Sequence, residues 1–237
     1  RDLVARRETI LASIAEQGKL TDELKARIEA TLDKSELEDL YLPYKPKRRT
    51  KATIAREKGL EPLANYLWAQ EPATEPLDAF AATFVSEEKG VASADEALEG
   101  ARHIVAETIS EDADLRKALR QIMFDEGVVV SRKMTDAVDE QEKFKMYYDY
   151  REPVKTIPSH RMLAIRRGES ENVLFFLIEM EPLRCTGLLR DRILRQPGDW
   201  TPHLELAIDD AWQRLLNSSI QTEIRMELKK RSDTEAI

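Results

Sequence analysis

The sequence is short of the residues from which compact chemical motifs are made: one cysteine, three histidines and eight glycines among 237 residues. Cys185, being alone, closes no internal disulfide, and a single thiol fits a reducing, cytoplasmic setting. His103, His160 and His203 stand far apart. With one cysteine they write no zinc-ligand spacing, so no metal is expected. No two glycines are closer than ten positions, which leaves no room for a dinucleotide fingerprint or a phosphate loop ending in Gly-Lys-Ser/Thr. No cofactor is expected.

Long apolar runs are also missing. The longest, Val173 to Ile178, is far below the roughly 20 residues that cross a bilayer, and residues 1–20 hold no signal-peptide core, so no membrane partner is expected. Net charge is −8 with 35% charged residues. That balance excludes a uniformly basic coat and confines any nucleic-acid contact to local islands. The acidic pairs Glu87-Glu88, Asp139-Glu140 and Asp209-Asp210 read as solvated helix faces or ends rather than acid–base dyads, and no catalytic residue is assigned. The chain opens on Arg1 rather than Met and stops just after a helix-like run, so it reads as a piece of a larger protein.

What is abundant is Ala, Leu, Glu, Arg and Lys, residues that favour helix. The spacing predicts a mainly α fold: a multi-helix array with a helix-turn-helix-like element and one small strand pair. Leu3, Ile10, Leu11 and Ile14, then Leu24, Ile28, Leu32, Leu37 and Leu40, predict a helical hairpin turning at Gly18, with Ser35 and Glu38 as a capping box. Pro43 and Pro46 open a loop. Residues 50–58 form a short helix closed by Gly59, and Pro62 opens the next. Further helices are predicted over 77–86, 95–110, 113–125 and 159–167, with Ser93 and Glu96 as a second capping box. Val128 to Val130 and Val173 to Ile178 are short and β-branched or aromatic, which suits strands. A final long helix opens at Thr201-Pro202 and carries one stripe from Leu204 through Leu228. The divisions read from this pass are a helical hairpin and helix-turn-helix-like element over 1–70, a central helical region over 71–200, and the long helix over 201–237.

Two basic islands stand out in this acidic chain. The first is Lys45, Lys47, Arg48, Arg49 and Lys51, in a proline-stiffened loop beside Tyr41 and Tyr44. Clustered cations neutralise phosphates and aromatic faces stack bases. Alternatively, the tyrosines anchor the loop while Glu36, Glu38 and Asp39 pair with its cations. The second is His160 with Arg161, Arg166 and Arg167, behind a helix start at Pro158-Ser159 that favours anions. Here the alternative is arginines bracing the fold through carboxylates such as Glu169 and Glu171. Phe144, Tyr147, Tyr148 and Tyr150 form an aromatic cluster that reads as core or interface, as do Trp68, Trp200 and Trp212.

The run from Tyr41 to Ala64 (YLPYKPKRRTKATIAREKGLEPLA), with Tyr148 to Pro153 (YDYREP) and Pro158 to Glu169 (PSHRMLAIRRGE), resembles the Tex family of bacterial transcription accessory proteins, and the resemblance extends over essentially the whole chain. It implies an N-terminal helical region that in such proteins precedes an RNase H-like domain, helix-hairpin-helix elements and an S1 RNA-binding barrel. It implies RNA or DNA as partner of the full-length protein, with the transcription machinery as a further one. For this portion it implies a helical scaffold with auxiliary nucleic-acid contact. A purely structural, protein-binding scaffold is the other reading.

Overall fold

A computed structural model describes residues 1–236. In chain order the elements begin with α1 (Asp2–Glu16), α2 (Asp22–Ala30), α3 (Lys34–Tyr41), α4 (Lys51–Glu57), α5 (Glu61–Ala69) and α6 (Leu77–Ala82). There follow α7 (Ala94–Ser110), α8 (Ala113–Glu126), β1 (Val128–Lys133), β2 (Asp149–Pro153), α9 (Ser159–Ser170), β3 (Leu174–Glu179) and α10 (Pro182–Ile193). The last elements are α11 (Thr201–Asp210), a π-helical segment (Ala211–Leu216) and α12 (Asn217–Ala236). The fold is mainly α, as the composition predicts.

Two compact units emerge, each built from two stretches of chain. The first comprises residues 1–117 and 189–215, and the second residues 118–188 and 216–237. Spatial grouping therefore does not follow order along the chain.

In the first unit, α1, α2 and α3 bury Ile10, Ile14, Ile28, Leu37 and Leu40 completely or nearly so. Each comes from an i, i+3/i+4 stripe, the spacing that puts apolar residues on one helix face. Thr21 caps α2 through its hydroxyl, which accepts from Leu24 N at 3.1 Å. At α3 the expected cap is displaced: Asp33 is the N-cap and accepts from Ser35 N at 2.7 Å. A carboxylate at this position also meets the positive end of the helix. Glu38 is thereby left to bridge Arg6 at 2.7 Å.

The rest of this unit is organised by α7, against which α4, α5, α6 and α11 all pack. Gly100 permits that closeness: a Cβ there would stand 2.3 Å from Leu60 Cδ1. Ser93 caps α7 as predicted, accepting from Glu96 N at 3.1 Å, but the Glu96 carboxylate reaches back to Ala92 N rather than to Ser93 N. The helix predicted over 77–86 stops at Ala82, because Ser86 and Val91 pair across a tight turn at Gly90.

In the second unit a three-stranded antiparallel sheet, in the order β2-β1-β3, replaces the predicted strand pair. Leu174, Phe176 and Ile178 of β3 and Val129 and Ser131 of β1 lie on its buried face, with α9 and α12 packed on β3. The added strand, β2, comes from the segment Asp149–Pro153, whose neighbouring aromatics mask the alternation. Cys185 is fully buried in α10, where burial pushes its thiol up to about 11.

The predicted long C-terminal helix is interrupted. Leu204, Ile208, Trp212, Leu216, Ile220, Ile224 and Leu228 are all buried and recur every four residues, a spacing that drifts by about 40° per step on a helix of 3.6 residues per turn. A wide π-helical segment at Ala211–Leu216 takes up part of that drift.

Candidate nucleic-acid interface

The first basic island lies wholly in the first unit. Its entry is fixed by the two tyrosines. Tyr41 is buried, its hydroxyl 3.0 Å from that of Ser13, with Arg6 over its ring. Tyr44 packs at the rim of the hairpin core, and its carbonyl accepts from Gln17 Nε2 at 2.8 Å. Both are anchors, Tyr41 buried and Tyr44 half-buried. Pro43 sits in a short 3-10 turn, Leu42–Tyr44, after which Lys45 leaves in an extended conformation. The loop ends at Thr50, whose side chain and backbone exchange hydrogen bonds with Thr53 at 3.1 and 2.7 Å in a capping box that starts α4.

Between these ends the loop is held by a residue the sequence reading did not single out. Glu107, on the packed side of α7, has only 9% of its side chain exposed. It accepts from Lys47 Nζ at 3.1 Å, Thr50 Oγ1 at 2.9 Å and Arg56 Nη1 at 2.9 Å. Lys47 donates also to Glu111, at 2.6 Å. Burial raises the Glu107 carboxyl, but the bonds from Arg56, Lys47 and Thr50 outweigh it, and the group titrates below its ordinary range. At Glu111 burial wins over the single lysine, and the carboxyl is raised. A buried carboxylate with three donors is satisfied; stripped of them it would be costly. The one available sequence signal was that Glu107 falls in step with Ile104 on an otherwise apolar helix face.

The loop cations thus divide. Lys47 is engaged with α7, and Arg49 pairs with Glu57 at 3.0 Å, both side chains more than half exposed. Lys45, Arg48 and Lys51 are exposed and make no ion pair among the described residues. The acids expected to neutralise the loop are occupied elsewhere: Glu36 with Lys117, Glu38 with Arg6 and Asp39 with Arg116.

The second island belongs to the second unit and is used differently. Arg161 donates to the Tyr150 hydroxyl and lies over its ring, with Glu152 at 3.4 Å. Arg166 reaches α12, donating to Lys229 O at 3.2 Å, Ser232 Oγ at 2.8 Å and Asp233 Oδ1 at 2.6 Å. Glu169, expected to serve these arginines, is taken by Arg225 at 2.8 Å. Only His160 and Arg167 of this island are exposed.

The aromatic cluster is likewise internal. Tyr147 is buried edge-on to Tyr150, and Tyr148 donates to Asp139 at 2.7 Å, a bond that pushes its phenol up to about 12.

Residues 71–237 match the family described as Tex central region-like. The whole chain is 42% identical to the uncharacterised protein YdcI of Bacillus subtilis, covering 33% of that protein. It is 40% identical to the transcriptional accessory protein Tex of Neisseria gonorrhoeae, covering 32%. At 24% identity it aligns over its full length with 25% of human S1 RNA-binding domain-containing protein 1. The chain therefore spans about a third of the length of the bacterial relatives it matches. Among the described residues no helix is long and apolar enough to cross a membrane.

Proposed function

We propose, for a chain that belongs to the Tex family, that this portion is a cytoplasmic, non-catalytic helical scaffold whose Lys45–Lys51 loop touches the phosphate backbone of RNA or DNA. The observation that carries this reading is the division of the loop cations. Lys47 fastens the loop to Glu107 and Glu111, while Lys45, Arg48 and Lys51 face solvent with no carboxylate paired to them. Holding a cluster of like charges in a fixed loop is unfavourable without counter-charges; nucleic-acid phosphates supply them, and the cations condensed on those phosphates are released in exchange. The loop leads into α4 and α5, two short helices joined at Gly59, which we read as a helix-turn-helix-like pair. A relative whose name carries RNA binding supports the partner class. In the longer protein the loop would assist other parts, in association with the transcription machinery.

The test is a titration of labelled single-stranded RNA and duplex DNA against the chain over about 50 to 200 mM salt. Replacing Lys45, Arg48 and Lys51 together by Ala is expected to lower the slope of log affinity on log salt by about 2.7 on duplex DNA and about 2.1 on single-stranded RNA, near 0.9 and 0.7 for each of three lost phosphate contacts. A slope equal to that of the unaltered chain removes the loop from the interface.

A second reading, a scaffold that binds only protein, is favoured by one observation. Lys47, Arg49, Arg161 and Arg166 all meet carboxylates of the chain itself. It predicts no salt-dependent binding of either nucleic acid.

A further inference from the structure

Beyond the loop, Lys58 and Lys89 are among the cations of the first unit that make no ion pair among the described residues. Lys58 ends α4 and Lys89 sits in the tight turn between Ser86 and Val91. The two are seated on each other's turns. A Cβ at Gly59, the residue after Lys58, would lie 3.2 Å from Lys89 Nζ, and one at Gly90, the residue after Lys89, would lie 3.9 Å from Lys58 Cε. Both glycines adopt positive φ, +77° and +75°, so the two turns close tightly and bring the lysine stems over them. The Lys89 backbone is tied in place, its N–H donating to Ser86 Oγ at 3.2 Å.

Lys51 belongs to the same surface. It opens α4 seven residues before Lys58, the C-cap, and the two lysines line one cleft of about 410 Å³ together with Gly90, His103, Glu96 and Glu99. Seven residues of helix rise about 10 Å, a length on the scale of neighbouring phosphates along one strand. The acids nearby do not cancel the lysines by pairing. Glu57 is bridged to Arg49, Asp210, whose charge is felt by Lys51, is bridged to Arg214, and Glu96 accepts from Ala92 N, while Glu99 approaches His103 at 4.0 Å and Glu87 and Glu88 make no ion pair among the described residues. Burial holds His103 below its ordinary range, so it adds no cation at neutral pH. The plainer explanation for Lys58, a cation at a helix C-terminus, accounts for one lysine and not for Lys89.

We infer that Lys51, Lys58 and Lys89 continue the Lys45–Arg48 loop as one cationic track along α4, which seats successive phosphodiesters of a single nucleic-acid strand. This rests on the reading proposed above, and adds Lys58 and Lys89 to the interface.

The experiment compares three variants of the chain with a fluorescein-labelled oligouridylate across the same salt range, with circular dichroism to check the fold. The K58A/K89A variant is expected to lower the salt slope by about 1.4, near 0.7 for each contact to a single strand. The charge-preserving K58R/K89R variant is expected to keep the original slope. The loop variant K45A/R48A/K51A serves as the reference. If that loop variant lowers the slope and K58A/K89A does not, the track is overturned and the loop reading stands. If neither variant changes the slope, or the unaltered chain does not bind, both are overturned.

Discussion

The two basic islands look equivalent along the chain and differ in space. In the loop of the first unit, Lys47 is consumed by the fold and its neighbours Lys45, Arg48 and Lys51 remain outward. In α9 of the second unit, Arg161 and Arg166 are consumed and only Arg167 is left. The difference lies in backbone geometry. A helix sends residues i and i+5 to different sides, so an arginine run on a packed helix is divided among whatever elements surround it, here β2 and α12. A loop fixed at its ends and at one lysine keeps its remaining side chains on the convex side. Arg166 braces from one corner of its guanidinium, where Nη1 stands within hydrogen-bond reach of a carbonyl, a hydroxyl and a carboxylate.

The comparison breaks most readily at the anchor of the loop. Glu107→Ala removes the acceptor shared by Lys47, Thr50 and Arg56. Because the carboxylate is buried while Lys47 and Arg56 are partly exposed and can rehydrate, the expected loss is about 2–3 kcal/mol, below the range for a fully buried pair. Urea unfolding measures it, and a loss under 0.5 kcal/mol, the size of an ordinary surface change, would show that Glu107 holds nothing. Arg166→Ala should cost less, about 1–2 kcal/mol, because its charged acceptor, Asp233, is exposed even though Ser232 is buried. The same variant should leave oligonucleotide binding and its salt slope unchanged. A lowered slope would show that the two islands work alike and that the contrast drawn between them is false.

Much of the fold was legible in the sequence because helix periodicity is local: the hairpin stripe from Ile10 to Leu40, the Thr50–Gly59 helix and the Ser93 cap appear where spacing puts them. Errors arose where a distant partner outbid a local motif. Ser35 and Glu38 fit a capping box, but Asp33 takes the cap and Arg6 takes Glu38. α10 was not singled out although Cys185, Leu189 and Ile193 recur at four-residue spacing and are buried, with Pro182 at its first turn. For the loop, Lys45 to Lys51 was visible as an island, and the identity of its counter-charges was not. Glu36, Glu38 and Asp39 are near in sequence; Glu107 and Glu111, about sixty residues away, are near in space.

That long-range anchor gives the smallest and most discriminating prediction, one of pH. Glu107 titrates below its ordinary value of 4.5. Its stabilising contribution is therefore complete above that value and is lost as pH falls through the lower folded one. Glu111 is raised above the same ordinary value, so its contribution is complete below 4.5 and is lost as pH climbs through the higher folded one. The two carboxylates share Lys47 and oppose each other in linkage. In urea midpoints followed from acid to neutral pH, Glu107→Gln should remove the decline on the acid side of 4.5, and Glu111→Gln the decline on the other side. Arg166, by contrast, donates to a carbonyl and a hydroxyl, groups with no proton to gain or lose in this range, as well as to the Asp233 carboxylate. Part of the gap between the Arg166→Ala variant and the unaltered chain should therefore persist at the acid end of the interval. A gap that closes completely there would mean that the brace in the second unit, like the anchor in the first, depends on an ionising acid alone.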